Sequence, residues 1–182
     1  MWRIIASTML LVSTVSYAPP HTLYLRGQVN ESWVSVTKHY NDVQVKILKI
    51  NPRVVFTSDG GLVSSNFKVY NIMKEWRNLT TIVADSCSSA CSDLFLMGHN
   101  RYMGEGSYMV VHQQSSCFLG TEFCWKNLTP PYSPEARKMW YHTQYLYQKY
   151  TKPVLTKESQ IKWEAGIDVV IWAKPFNQGV KQ

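Results

Sequence analysis

An alternation of strand-length apolar runs with helical faces constrains this chain more than any other feature. Thr22-Leu23-Tyr24-Leu25-Arg26-Gly27 reads as a short strand closing on a glycine, and Arg53-Val54-Val55-Phe56-Thr57 as a β-branched strand. Thr80 to Ala84 and Tyr108-Met109-Val110-Val111 read as two more. Between them lie apolar residues at three-to-four spacing: Trp33, Val36, Tyr40, Val43 and Ile47 behind an Asn30 cap, then Val63, Phe67, Tyr70, Met73 and Trp76. A third helical stretch runs from Ser89 to Met97. Strand, helix, strand in this rhythm predicts crossover units on a largely parallel sheet, an α/β fold.

Beyond Val111 the rhythm fades. Gln113 to Tyr132 shows no periodicity and reads as the longest loop. Ser133-Pro134-Glu135 then caps a helix to about Tyr150, with proline at its first position. A short helix around Thr156 to Glu164 and a strand at Ile167 to Trp172 complete the domain.

The 182 residues suffice for one domain. A composition 45% hydrophobic and 17% charged is too apolar for a disordered chain and too mixed for a polytopic membrane protein. The formal charge of +7 is carried by lysines and arginines scattered singly. That pattern describes a solvated surface and argues against a nucleic-acid groove.

Residues 1–18 carry the marks of an export signal. Met1-Trp2-Arg3 is a positive start, Ile4 to Val15 is uncharged, and Ser16-Tyr17-Ala18 offers small residues for a signal peptidase, leaving residues 19–182 as a single domain. Pro19 and Pro20 disfavour a cut after Ala18, so an uncleaved membrane anchor is the alternative. A periplasmic or secreted location favours disulfides among Cys87, Cys91, Cys117 and Cys124. Local pairing, Cys87 with Cys91 and Cys117 with Cys124, is the expectation; a four-thiolate zinc site has the wrong spacing and ranks below it. His21, His39, His99 and His142 show no ligand spacing, and no metal or cofactor is expected.

Three segments concentrate chemistry. Ser58-Asp59-Gly60-Gly61 follows a strand and offers uncovered backbone N–H groups at a helix start. Asp85 to Ala90 places hydroxyls at a strand-to-helix turn, where a nucleophile can stand above a sheet edge. His112 ends the next strand, from which an imidazole can act as general base. Alone, Gly60-Gly61 would be a turn, Ser89 a helix cap and His112 a hydrogen-bonded strand-end histidine; jointly they favour a site.

These segments resemble a known family. Thr57-Ser58-Asp59-Gly60-Gly61, Cys87-Ser88-Ser89-Ala90-Cys91, Gly98-His99-Asn100-Arg101 and Met109-Val110-Val111-His112-Gln113 are similar, in order, to the motifs of ClpP-like serine peptidases of the ClpP/crotonase superfamily, in its exported, cysteine-containing branch. The resemblance implies a ClpP/crotonase-type fold of repeated ββα and βαβ units. It implies Ser89 as nucleophile, His112 as base, and Gly61 and Ala90 as oxyanion-hole donors. It further implies a peptide or protein substrate and a homo-oligomer, with the aromatic-rich helix around Trp140, Tyr141, Tyr145, Tyr147 and Tyr150 at subunit contacts. An ATP-dependent unfoldase partner is not expected outside the cytosol.

Two departures qualify the resemblance. The family's orienting aspartate falls where this chain reads Tyr150-Thr151-Lys152-Pro153-Val154-Leu155, with no acid, so Glu158, Asp93 or a backbone carbonyl would have to orient His112. Asp59 replaces the proline usual before the glycine pair, bringing a negative charge toward the oxyanion site. A catalytically weak or inactive ClpP-fold binding module is therefore the alternative to a peptidase. A crotonase-like acyl-CoA enzyme shares the fold but would meet little coenzyme A outside the cell.

Overall fold

A computed structural model describes residues 21–118, 123–126, 129–131 and 134–173, with the backbone alone for 115–118, 123–126, 135 and 136. Residues 1–18, expected as an export signal, lie outside the described residues. Among them, no helix is long and apolar enough to cross a membrane.

Five strands form the path β1 (Thr22–Arg26), β2 (Arg53–Ser58), β3 (Thr80–Ser88), β5 (Tyr108–Val111) and β8 (Val169–Trp172), and β4 (Asn100–Met103) pairs separately with β3. Every pairing in this six-stranded sheet is parallel except that of β5 with β8. This is the predicted mixed α/β architecture. Helices α1 (Glu31–Tyr40), α2 (Val63–Met73) and α3 (Ala90–Leu96) fill the crossovers. Helix α4 (Pro134–Leu146) passes into a π-helical stretch at Tyr147–Thr151, and α5 (Lys157–Glu164) follows.

Burial explains the strand and helix boundaries. In β2 the side chains of Val54, Phe56 and Ser58 point inward at period two. Asn30 caps α1, its side chain accepting from the Ser32 N–H, and Trp33 and Tyr40 form the buried stripe. Trp33 lies against Phe56, ring centroids 6.1 Å apart. Tyr40 joins two strand starts: its hydroxyl donates to the His21 carbonyl at 2.6 Å and accepts from the Arg53 N–H at 3.3 Å.

Strand β3 decides where the site forms. Its nine residues outlast β4, so its first half pairs with β4 and Ser86–Ser88 pair with β5. Against β2 the register jumps from Phe56↔Val83 to Ser58↔Cys87, a bulge in β3 that redirects its end. Asp85 to Ser88, expected as a turn, is therefore the continuation of a strand, because β5 supplies partners where β4 stops.

Other expectations change in detail. The stretch expected as a structureless loop contains an antiparallel ribbon, β6 (Ser115–Phe118) and β7 (Phe123–Lys126). Strands of four residues leave too short a record for alternation to be seen. In α2 the buried residues are Ser65, Asn66, Val69 and Met73, so Phe67 and Tyr70 do not lead the inward face. Tyr70 is instead drawn toward α4, its ring centroid 4.1 Å from that of His142.

Candidate functional site

Parallel register translates motif spacing into proximity. With Ser58 opposite Cys87 and Ser88 opposite Val110, two further residues along each strand bring Gly60 to Ser89 and His112 to Ala90. All stand at the carboxyl ends of parallel strands, where α/β folds bind ligands. The Ser89 N–H donates to the Val110 carbonyl at 2.9 Å and extends the β3–β5 pairing by one rung.

Ser89 carries strain. Its φ of 57° and ψ of −126° lie in a region that L-residues rarely occupy. The chain can turn this sharply because Gly60 sits beneath it: a β-carbon on Gly60 would stand 2.6 Å from the Ser89 β-carbon. Gly60 itself has φ +100°, and a β-carbon on Gly61 would enter the backbone of Val29. Both glycines are thus demanded by close approach as well as by conformation.

Three further contacts hold the turn. Cys87 and Cys91 form the expected disulfide, Cα atoms 5.3 Å apart, bracketing Ser89. The Ser92 hydroxyl shares its proton between the Cys87 and Val110 carbonyls, at 2.7 and 2.8 Å, tying α3 to β3 and β5. The Ser58 hydroxyl accepts from the Gly60 N–H at 3.0 Å. Cys117 and Cys124 face each other in the register of the β6–β7 ribbon, but their side chains, and so the second predicted bridge, lie outside the described residues.

Gly61, Ser89, Ala90 and His112 line one cavity of about 160 Å³. Neither the Gly61 nor the Ala90 N–H donates to another described residue. Ser89 is partly exposed, and its hydroxyl makes no hydrogen bond with His112 in this conformation. The His112 Nδ1–H donates to the Gln113 carbonyl at 2.6 Å. A carbonyl only accepts, so the proton of the neutral ring resides on Nδ1 and the basic nitrogen is Nε2. Gln113 is itself buried, and its side-chain oxygen accepts from Gln144 Nε2 of α4 at 2.7 Å, which fixes that segment.

The acidic residues divide. Glu158 is exposed and pairs with Lys162 at 2.6 Å. Asp59 is exposed, so water screens its charge from the glycine pair. Asp93 lines the cavity, one turn of α3 beyond Ser89, and accepts from Thr143 at 2.9 Å and from Asn66 at 3.4 Å. Burial pushes its carboxyl up to about 7, against the opposing pull of those two hydrogen bonds.

Sequence reading missed the far wall. Asn66, Thr143, Tyr147, Thr151 and Trp163 all line the cavity. The signal for Asn66 was a polar residue inside an amphipathic helix pattern, where it is expected on the solvent side.

No family model and no curated protein matches this sequence. Among solved structures, a ClpP1 variant from Listeria monocytogenes is similar, with a TM-score of 0.61 over 87% of this chain and 86% of that one, at 14% identity. The chain has a ClpP-like fold. At that identity the likeness establishes architecture alone. What the ClpP-like fold does here has to be argued from the cavity at its parallel strand ends.

Proposed function

We propose that the chain is an exported serine peptidase-like protein that cleaves peptide bonds. Ser89 attacks the carbonyl, His112 Nε2 takes the hydroxyl proton and later delivers it to the leaving amine, and the Gly61 and Ala90 N–H groups receive the oxyanion. The observation that carries this reading is the strained Ser89 backbone, held over Gly60 at the rim of a cavity shared with His112. Strain of this kind, here a positive φ with ψ −126°, clusters at active sites, which supports a functional role for Ser89. The Cys87–Cys91 disulfide supports export, and residues 1–18 are the proposed leader, read out by the intact mass of the mature chain. Tyr141 and Tyr145 of α4 are 55% and 53% exposed, which supports self-association through that helix.

A second reading has its own observation. His112 is oriented by a neutral carbonyl, which stabilises the imidazolium less than a carboxylate would. A binding module that kept the fold while losing turnover accounts for that. Labelling by a small neutral fluorophosphonate separates the two: wild type is expected to react and Ser89→Ala not to. Equal labelling of both, or labelling of neither, sinks the hydrolase assignment.

A further inference from the structure

Several buried polar atoms in the cavity beside Ser89 meet no hydrogen-bond partner among the described residues. Asn66, at 1% exposure, has its amide nitrogen committed to Asp93 and its Oδ1 without a partner. Thr151 Oγ1 and the Tyr147 hydroxyl are buried and also lack partners, as does Gln114 Oε1. All four residues line the cavity together with Asp93, whose carboxyl accepts, among the described residues, from Thr143 and Asn66. Among the described residues no cation pairs with that carboxyl.

Asn66 Oδ1, Gln114 Oε1 and the Asp93 carboxyl gather acceptors on this wall, while the Thr151 and Tyr147 hydroxyls can accept or donate. An apolar group against this wall would leave the polar atoms unpaired, and an anion there would face the two amide oxygens and the Asp93 carboxyl. A cation bearing several N–H groups satisfies them at once. The placement also fits: Ser89 is the N-cap of α3 and Asp93 lies four residues on, roughly 6 Å along the axis, with its helical side chain leaning back toward the N-terminus. A lysine stem descending from a carbonyl at Ser89 has that reach.

We propose that this cavity is a specificity pocket for a cationic side chain, of lysine or arginine type, on the acyl side of the bond that Ser89 attacks. This rests on the hydrolase reading above, and the test has one arm that does not. In the first arm, aminoalkyl phosphonate diphenyl esters with a lysine-like or a leucine-like side chain react with the wild type and with Asp93→Asn. The lysine-like reagent is expected to label wild type at least tenfold faster, and Asp93→Asn to bring the ratio toward one. Thr151→Val, which removes one acceptor at constant shape, lowers the ratio in the same direction and stands in should the asparagine variant not fold. Leucine-like labelling as fast as lysine-like, with Ser89 still reactive toward the small fluorophosphonate, overturns the pocket and leaves the hydrolase.

The second arm measures thermal unfolding with butylammonium against 1-butanol. The ammonium is expected to raise Tm by a few degrees at saturation and the alcohol not to, with the difference lost in Asp93→Asn or Thr151→Val. Equal effects of the two compounds, or an ammonium effect unchanged in both variants, overturn the cation site whether or not any phosphonate reacts.

Discussion

Gly60 lies directly under Ser89, so close that a β-carbon added to the glycine would come within 2.6 Å of the serine's own and 2.9 Å of the Ser88 carbonyl. Neither neighbour can yield, because Ser89 is bonded to Val110 and bracketed by the Cys87–Cys91 bridge. Gly60→Ala is expected to cost about 2–5 kcal/mol, from the positive φ and the overpacking together. Loss of fluorophosphonate labelling should accompany the drop in stability. Urea unfolding monitored by circular dichroism, with labelling on the same samples, checks both, and a variant as stable and reactive as wild type contradicts the tight-approach account.

The Cys87–Cys91 bridge closes a loop of only a few residues, so its effect on the unfolded chain is modest, about 2 kcal/mol. Both cysteines are fully buried, and replacement by alanine retains the packing of small side chains. The double alanine variant is expected to melt roughly 4–8 °C lower. Calorimetry of wild type and variant reads this directly; an unchanged Tm means that Ser92 and the Val110 rung hold the turn unaided.

The strand ends were legible because parallel pairing is a translation. Once Ser58 stands opposite Cys87, and Ser88 opposite Val110, the order of motifs along the chain fixes their meeting point, and Gly60, Ser89 and His112 converge without further information. The far wall was not legible, because Asn66, Thr143 and Thr151 come from α2, α4 and the π-helical stretch, whose mutual placement no periodicity encodes. Asn66 misled in particular. It occupies an inward position of α2 because Asp93 gives its amide a partner there, a pairing across 27 residues. A backbone carbonyl was among the orienters the sequence allowed for His112, but a carbonyl has no residue type, so that it is the one of Gln113 could not be read.

Trp163 closes the cavity from α5, at 2% exposure, stacked on Tyr147 with ring centroids 3.5 Å apart and planes 2° from parallel. Removing the indole deletes this contact and leaves a void between α5 and the π-helical stretch. Trp163→Ala is expected to destabilise the domain by about 3–5 kcal/mol, and Trp163→Phe, which preserves a stacked ring, by distinctly less. Denaturant midpoints for the two variants test the ordering. Equal losses would mean that ring stacking contributes nothing beyond volume.

Asp93 makes stability depend on pH in a direction opposite to that of most carboxylates. Burial raises its folded-state ionisation to about 7, whereas an unfolded aspartate ionises near 3.9. Between those values the native protein holds a proton that the unfolded chain has already released, so stability falls as pH rises through the window and levels off above it. Each pH unit within the window is worth at most about 1.4 kcal/mol. Glu31, Asp42 and Glu158 are held below their ordinary range by lysine partners, but they are solvent-exposed and act in the other direction. The comparison with Asp93→Asn cancels them. The variant is expected to match wild type near pH 4, to gain on it steadily toward pH 7, and to keep that gain at pH 8, as read by urea unfolding across the series. Parallel curves for the two proteins would mean that Asp93 is ionised in the native state throughout, with its charge met by a partner other than Thr143 and Asn66.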